Sequence, residues 1–387
     1  MRPEEDSADG VSARLYEDAA DLEPLRSSWD ALAVGTGSPF GGPVWAEAWW
    51  RHLAPPGARL AVIAAHEGGE LIGLAPFYAS DKLGVTELRL LGGGWSSRLG
   101  ILSTAGAEAR VAAAVAEALR DAGRSPDIVH WEAIDAASAW PELLSAEWPG
   151  GRAHRIEEES RRGAPVIHLS QGSYDEWFAA KSSHFRGHMR RDRRKIERED
   201  VSFRFADRAG LERDLTAFGR LHSTRREGRG GSTAVGPGAM AALLEIADAY
   251  LDDGRVRLQM IDGPDGEAIS AQLYVAAGGT VAFWNTGFDE GWRKFSPGAL
   301  AVLVAIEDAF ERGDTLMDLG GGEAAYKERL ADEDLPVAWR TSFPRGPRYP
   351  LARLRRLPAQ VARSGSQVLR RRLGQERFNR IRGLIGR

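Results

Sequence analysis

The sequence predicts an α/β protein built as two tandem α/β units followed by a basic tail. Strand-like and helix-like segments alternate along the 387 residues, and the alternation starts again after Pro149-Gly150-Gly151. Charge is unevenly placed: the whole chain carries −4, yet residues 345–387 hold 13 Arg against a single acid, Glu376. The expected division is therefore a first unit at 12–150, a second at 163–343 and a tail at 344–387.

In the first unit, runs rich in β-branched and apolar residues at 12–17, 59–66, 70–79, 85–91 and 127–133 predict strands. Helical periodicity near 21–33, 43–53 and 106–122 separates them. Trp45, Trp49 and Trp50 sit on the second of these helices and fit core or interface packing. The second unit repeats the pattern: strand 164–169, helices around 173–199, strand 201–206, helices 211–227 and 237–253, then strands 255–262, 267–277 and 279–286. Arg225 to Gly236 is too polar and glycine-rich to pack, so it is expected to be a mobile loop able to close over a substrate.

Residues 279–331 carry the most chemistry. A strand from Thr280 to Thr286 ends at Gly287, and Ser296-Pro297-Gly298 then opens a helix whose apolar residues Leu300, Leu303, Val304, Ile306 and Phe310 recur at helical spacing. Ser296 is expected to cap that helix through its hydroxyl, Pro297 suits the first position, and Gly298 lets another group approach the backbone. A helix start of this kind offers amide hydrogens and the positive end of the dipole to an anion such as a pyrophosphate. Gly313 closes the helix, Thr315–Leu319 forms a short apolar strand, and Gly320, Gly321 and Gly322 follow, with Glu323 opening a last helix that bears Tyr326 and Lys327.

The order SPG, helix, Gly, strand ending DLGGGE, then YK resembles the C-terminal acyltransferase domain of the CelD/BcsL-type proteins associated with cellulose biosynthesis, within the GNAT superfamily. It is also similar to the FemAB aminoacyl-transferases, which duplicate that fold and carry an aromatic-Lys pair after a Gly-rich strand. SPFGGPVWAEAWWRHL at 38–53, ELIGLAPFY at 70–78 and LRLLGGG at 88–94 extend the likeness over about residues 12–343. The resemblance implies two tandem GNAT-like domains with mixed sheets. It also implies an acyl-CoA or acetyl-CoA donor at Arg293, Ser296, Pro297, Gly298 and Ala299, where Ser296 replaces the first Gly of the usual loop.

It further implies attack by an amine or hydroxyl on a thioester or ester carbonyl, with an oxyanion held by strand amides. Tyr326 is then the candidate general acid, the alternative being a packed phenol bonded to a backbone carbonyl. Lys327 reads as a solvated helix charge or, if it acts, as a group holding an anionic donor or acceptor. The proton acceptor is sought among Asp318, Asp289, Glu323 and His222, with Asp318 first; its alternative use is to cap loop amides. Trp284, Asn285, His222, Gly320, Gly321, Gly322 and Glu323 are expected to face the substrate.

Composition removes several classes. Without Cys there are no disulfides or thiolate chemistry, and no apolar run reaches the ~18 residues of a membrane span. The polar start MRPEEDSADG lacks the apolar stretch of a signal peptide, so a cytoplasmic protein is expected. His184 and His188 stand one helical turn apart with no third ligand at a recognisable spacing, and no metal is expected. The Arg-rich segment 181–198 reads as a charged helix, either solvated or facing a phosphate-bearing ligand. For the tail, attachment to the anionic inner face of the membrane competes with docking on the protein's own acids, with nucleic-acid contact and with disorder.

The acceptor is expected to be a small molecule or a glycan precursor of the envelope or an exopolysaccharide. The alternatives are a FemAB-like transferase using aminoacyl-tRNA, which alone would bring in nucleic acid, and a non-catalytic GNAT-like scaffold at the membrane surface.

Overall fold

The computed structural model describes residues 10–123, 125–148, 153–170, 172–226, 232, 234–321 and 325–356. Pro149-Gly150-Gly151, most of the loop expected to close over substrate, and the tail beyond 356 lie outside the described residues.

The chain opens with β1 (Val11–Tyr16), a 3₁₀ turn at Ala19–Leu25, α1 (Arg26–Gly35), α2 (Pro43–Leu53), β2 (Arg59–Glu67), β3 (Glu70–Lys82) and β4 (Val85–Leu90). It continues through β5 (Leu102–Ser103), α3 (Glu108–Asp121), β6 (Ile128–Asp135), α4 (Trp140–Ala146), β7 (Arg155–Arg162) and β8 (Pro165–His168). After α5 (Tyr174–Ala180) and α6 (Ser183–Glu197) come β9 (Ser202–Phe205), α7 (Leu211–Arg226), α8 (Pro237–Tyr250), β10 (Val256–Asp262), β11 (Ala268–Ala277) and β12 (Thr280–Phe288). A 3₁₀ turn at Glu290–Phe295, α9 (Pro297–Glu311), β13 (Leu316–Asp318), α10 (Ala325–Leu330), β14 (Glu333–Asp334) and β15 (Val337–Phe343) complete the two units.

The two sheets repeat one plan. The first runs β1-β2-β3-β4-β6-β15-β7 and the second β9-β10-β11-β12-β13-β8-β14. In each, three antiparallel pairings are followed by one parallel pairing, β4 with β6 and β12 with β13. Helices fill the same intervals, α1 and α2 matching α7 and α8, and α3 matching α9. In this correspondence β8 closes the first run of matched elements and β9 opens the second, with α5 and α6 between them.

Each unit also gives its last strand away. β15 enters the first sheet between β6 and β7, while β8 enters the second between β13 and β14. The two units share a core as well. One buried cluster joins Trp45, Phe77 and Trp131 of the first to Phe218, Leu243, Leu273 and Trp284 of the second. Polar ties reinforce it: Arg255 and the Tyr250 hydroxyl both donate to Asp30, at 2.9 and 3.0 Å on Oδ1. β11 is buried along its whole length, packed by α7 and α9, and its largely apolar sequence carries Ser270 and Gln272 as buried polar residues.

The tail begins as a helix at 349–356. Ala352 packs on Val85, Ile128 and Phe343, and the arginines meet acids of the first sheet: Arg353 with Glu157 at 2.5 Å, Arg355 with Glu87 at 2.9 Å, and Arg356 with Glu159. For these residues, docking on the protein's own acidic surface is what the structure shows.

Candidate functional site

The site starts where two parallel strands part. β13 pairs with β12 only along Thr280–Ala282, and β12 then continues to Phe288 with that edge open. Gly320 turns the chain away after β13 at φ 69°, a conformation costly for a residue with a Cβ. On the other side, a bulge at Leu273/Tyr274 leaves Trp284 as an extra residue between Phe283 and Asn285, which sharpens the twist of β12. Trp284 Nε1 donates to the Trp95 carbonyl at 2.7 Å, fastening β12 to the first unit. α7 presses onto the same strand at Gly287, where a Cβ would lie 2.3 Å from the His222 nitrogen.

The wedge so formed is a cleft of about 520 Å³ lined from both units. Trp95, Ser96, Ser97 and Arg162 face Asn285, Thr286, Gly320, Gly321, Tyr326 and Lys327 across it. Gly322 and Glu323, also expected here, lie outside the described residues.

A second hollow of about 290 Å³ opens at the start of α9, lined by Arg293, Ser296, Pro297, Gly298 and Ala299 together with Phe185, His188, Arg225, Tyr326 and Arg329. The helix start differs from expectation. Ser296 sits in the left-handed region, φ 56° and ψ 44°, and its hydroxyl makes no capping bond. The left-handed backbone occupies the place of a loop glycine, which explains why Gly is the usual residue there. The amides are also less free than expected. Ser296 N donates to Arg293 O, Ala299 N and Leu300 N donate to Ser296 O, and Pro297 has no N–H, so among the described residues only the Gly298 amide of that turn lacks a partner.

Behind Gly298, the Tyr274 hydroxyl donates to Gln272 Oε1 at 2.5 Å and Gln272 Nε2 donates to the Gly298 carbonyl at 2.7 Å. This buried chain fixes the turn on β11. A Cβ at 298 would come no nearer than 3.8 Å to a neighbour, so the glycine leaves open room and fills no packing need.

Tyr326 lines both hollows and so stands where they meet. Burial pushes its phenol up to about 12, with Arg225 pulling the other way. Lys327 departs from the solvated reading: it is buried, its Nζ donates to the Leu319 carbonyl at 2.5 Å, and it lies 4.3 Å over the Phe283 ring. Burial brings its ammonium down to about 8, against the pull of Asp318 and with help from Arg225.

Asp318 is not placed to act as a base. It is buried, its Oδ2 accepts from Arg98 Nε at 2.5 Å and its Oδ1 from the Gly320 amide at 2.7 Å. This is the capping alternative, reinforced by an ion pair. Arg98 also donates to Asp135 Oδ2 at 3.0 Å and to the Leu335 carbonyl at 2.6 Å, joining the ends of both sheets. Asp289 likewise caps the Gly291 amide at 2.8 Å.

His222 is buried behind the cleft wall. Its Nδ1 faces the Thr286 carbonyl at 3.0 Å and therefore carries the proton, which leaves Nε2 to accept from the Ser232 hydroxyl at 2.9 Å. Sequence reasoning missed Arg98, Arg162, Trp95 and Trp339. The run Gly92–Arg98 after a strand was the available cue for two of them.

Residues 183–328 match a family model described as an acetyltransferase (GNAT) domain. With this domain in the second unit and its sheet plan repeated in the first, the fold is two tandem GNAT-like units with mixed sheets. A crystal structure of FemX superposes with a TM-score of 0.62 at 15% identity, over 85% of this chain and 98% of that one. The C-terminal domain of a putative lysylphosphatidylglycerol synthetase from Agrobacterium fabrum gives 0.55 at 10% identity, over 87% and 95%. A conserved protein of unknown function from Bacteroides thetaiotaomicron gives 0.52 at 11%, over 85% and 99%. No curated protein matches the sequence. With a GNAT domain present, the chain is read as an acyltransferase-type enzyme.

Proposed function

We propose that the protein moves an acyl group from acyl-CoA, seated at the α9 mouth, to an amine or hydroxyl held in the cleft between the units. The observation that carries this reading is the position of Tyr326, whose ring borders both hollows. Arg225, Arg293 and Arg329 suit the phosphates of such a donor, and no Asp or Glu lines the mouth among the described residues. The pantetheine arm of the donor, which contains amides, would lie along the open edge of β12.

In the reaction, the acceptor attacks the thioester carbonyl, strand amides hold the oxyanion, the carbon–sulfur bond breaks, and the proton the acceptor gives up passes through solvent to restore the phenol that protonates the leaving thiolate. A phenol raised to about 12 stays protonated at neutral pH, so Tyr326 supplies the proton to the leaving thiolate. The Lys327 ammonium adds positive charge beside the developing anion.

The likeness to CelD/BcsL-type proteins supports a glycan-precursor acceptor in envelope or exopolysaccharide synthesis. A second reading, aminoacyl transfer from tRNA, is favoured by the FemX-like fold and the basic α6. Calorimetry with acyl-CoA decides between them: binding should be present and abolished by Ser296→Glu. If acyl-CoA does not bind while charged tRNA binds with strong salt dependence, the first reading is wrong.

We also propose that the remaining tail holds the enzyme at the inner face of the membrane. Because Arg353, Arg355 and Arg356 already meet acids, that role falls to the eight Arg of 357–387. Equal pelleting with anionic liposomes by the full chain and by a chain ending at residue 356 would refute it.

A further inference from the structure

The arginines of β7 and β15 differ in one respect. Arg155 pairs with Glu157 at 2.7 Å, Arg161 with Glu158 at 2.9 Å, and Arg340 with Glu142 at 3.4 Å. Arg162, at the end of β7 where it enters the cleft, has no carboxylate partner among the described residues. Its guanidinium lies 4.9 Å over the ring of Trp339 on the adjoining β15, which holds the planar group in place and leaves its N–H edge free for a bidentate anion.

The rest of the cleft agrees in sign. Arg225 and Lys327 stand on the opposite wall, and among the described lining residues there is no Asp or Glu. A cationic acceptor would be repelled by this lining, and an anionic one attracted to it. Ser96, Ser97, Asn285 and Thr286 supply neutral polar groups between the two walls, with Trp95 and Trp284 beside them. That lining suits a hydroxyl-rich body carrying an anion at one end.

We propose that the acceptor is an anionic sugar derivative, bearing a phosphate or carboxylate that Arg162 binds, and that the Arg162–Trp339 pair sets acceptor specificity. This rests on the reading of the cleft as the acceptor side of a transferase. Its geometry is otherwise independent of which donor is used.

The test is calorimetric titration of the full chain carrying Arg293→Glu and Arg329→Glu, so that phosphate binding at the donor mouth does not contribute. Glucose 1-phosphate, glucuronate and glucose serve as probes. At least one of the two anions should bind tenfold or more tightly than glucose, and which of them binds tells phosphate from carboxylate. Arg162→Met should weaken that anion at least tenfold, Arg162→Lys less so, and Arg161→Met not at all. The proposal is overturned if Arg162→Met leaves anion affinity unchanged, if glucose binds as well as the anions, or if neither anion binds. Acyl-CoA binding, measured with Arg293 and Arg329 intact, should be the same in Arg162→Met as in the parent. Loss of acyl-CoA binding in the parent itself would strike the donor assignment and leave the anion result standing.

Discussion

Arg98 Nε donates to Asp318 Oδ2 over 2.5 Å, so a loop of the first unit neutralises a buried carboxylate at the end of a strand in the second. Asp318 in turn holds the Gly320 amide, and through that turn it sets the Leu319 carbonyl that receives Lys327. Arg98→Met should therefore leave a nearly fully buried charge with one hydrogen bond, at a cost of about 3–5 kcal/mol in urea unfolding. Adding Asp318→Asn should recover a good part of that loss. A single variant as stable as the parent would show that the pair carries no such weight.

Tyr326→Phe removes a hydroxyl at the junction of the two hollows and no packing atoms of the ring. If the phenol is the proton donor, kcat should fall by roughly 10²–10⁴. The unfolding midpoint and the KM for acyl-CoA should stay near parental values. A normal turnover number would exclude the role.

Lys327 gives a dependence on pH of definite sign. Its folded-state value of about 8 lies below the ordinary lysine value of 10.5. Between those limits the unfolded chain holds a proton that the folded chain has lost, so this group makes stability rise with pH across that window. Below about pH 8 the folded protein bears the desolvated charge. Lys327→Met should lower kcat at least tenfold at pH 7, and its stability relative to the parent should become less favourable as pH rises from 8 to 10.5. Parallel stability curves for the two proteins across that range would contradict the burial argument.

Ser296 is held at φ 56°, where a residue with a Cβ costs roughly 1–2 kcal/mol and glycine does not. Ser296→Gly should thus be neutral or stabilising by up to about 1 kcal/mol after the added chain entropy, measured by thermal unfolding. Ser296→Val, β-branched in the same conformation, should destabilise. The opposite order would mean that the serine hydroxyl contributes more than the backbone geometry indicates.

Much of the architecture was legible because apolar periodicity is a local signal. α2 lies at the predicted 43–53, and β10 to β12 follow the three predicted strands to within two residues at each end. β7 escaped notice because Arg155–Arg162 is almost entirely charged or polar, and the exchange of β15 into the first sheet was hidden because nothing local says that its partners are β6 and β7.

The site was legible in part for the same reason. Ser296 to Ala299 and Tyr326 do share a hollow, since strand, turn and helix follow one another closely in the chain. The environment of Lys327 was not readable from YKERL, because burial depends on Phe283 and on the turn after β13. Nor was the occupation of Asp318, whose partner Arg98 lies 220 residues away in sequence.

The crossed placement of β8 and β15 bears on how the molecule can move. Two lobes joined by a single connecting segment can gape like jaws around a hinge. Here two segments running side by side, 163–164 between β7 and β8 and 335–336 between β14 and β15, join the sheets, and the shared core packs across them, so such gaping is restricted to a bend of that pair. The spacing of the cleft walls, Trp95 on one side and Tyr326 on the other, then depends on how far that paired link can bend.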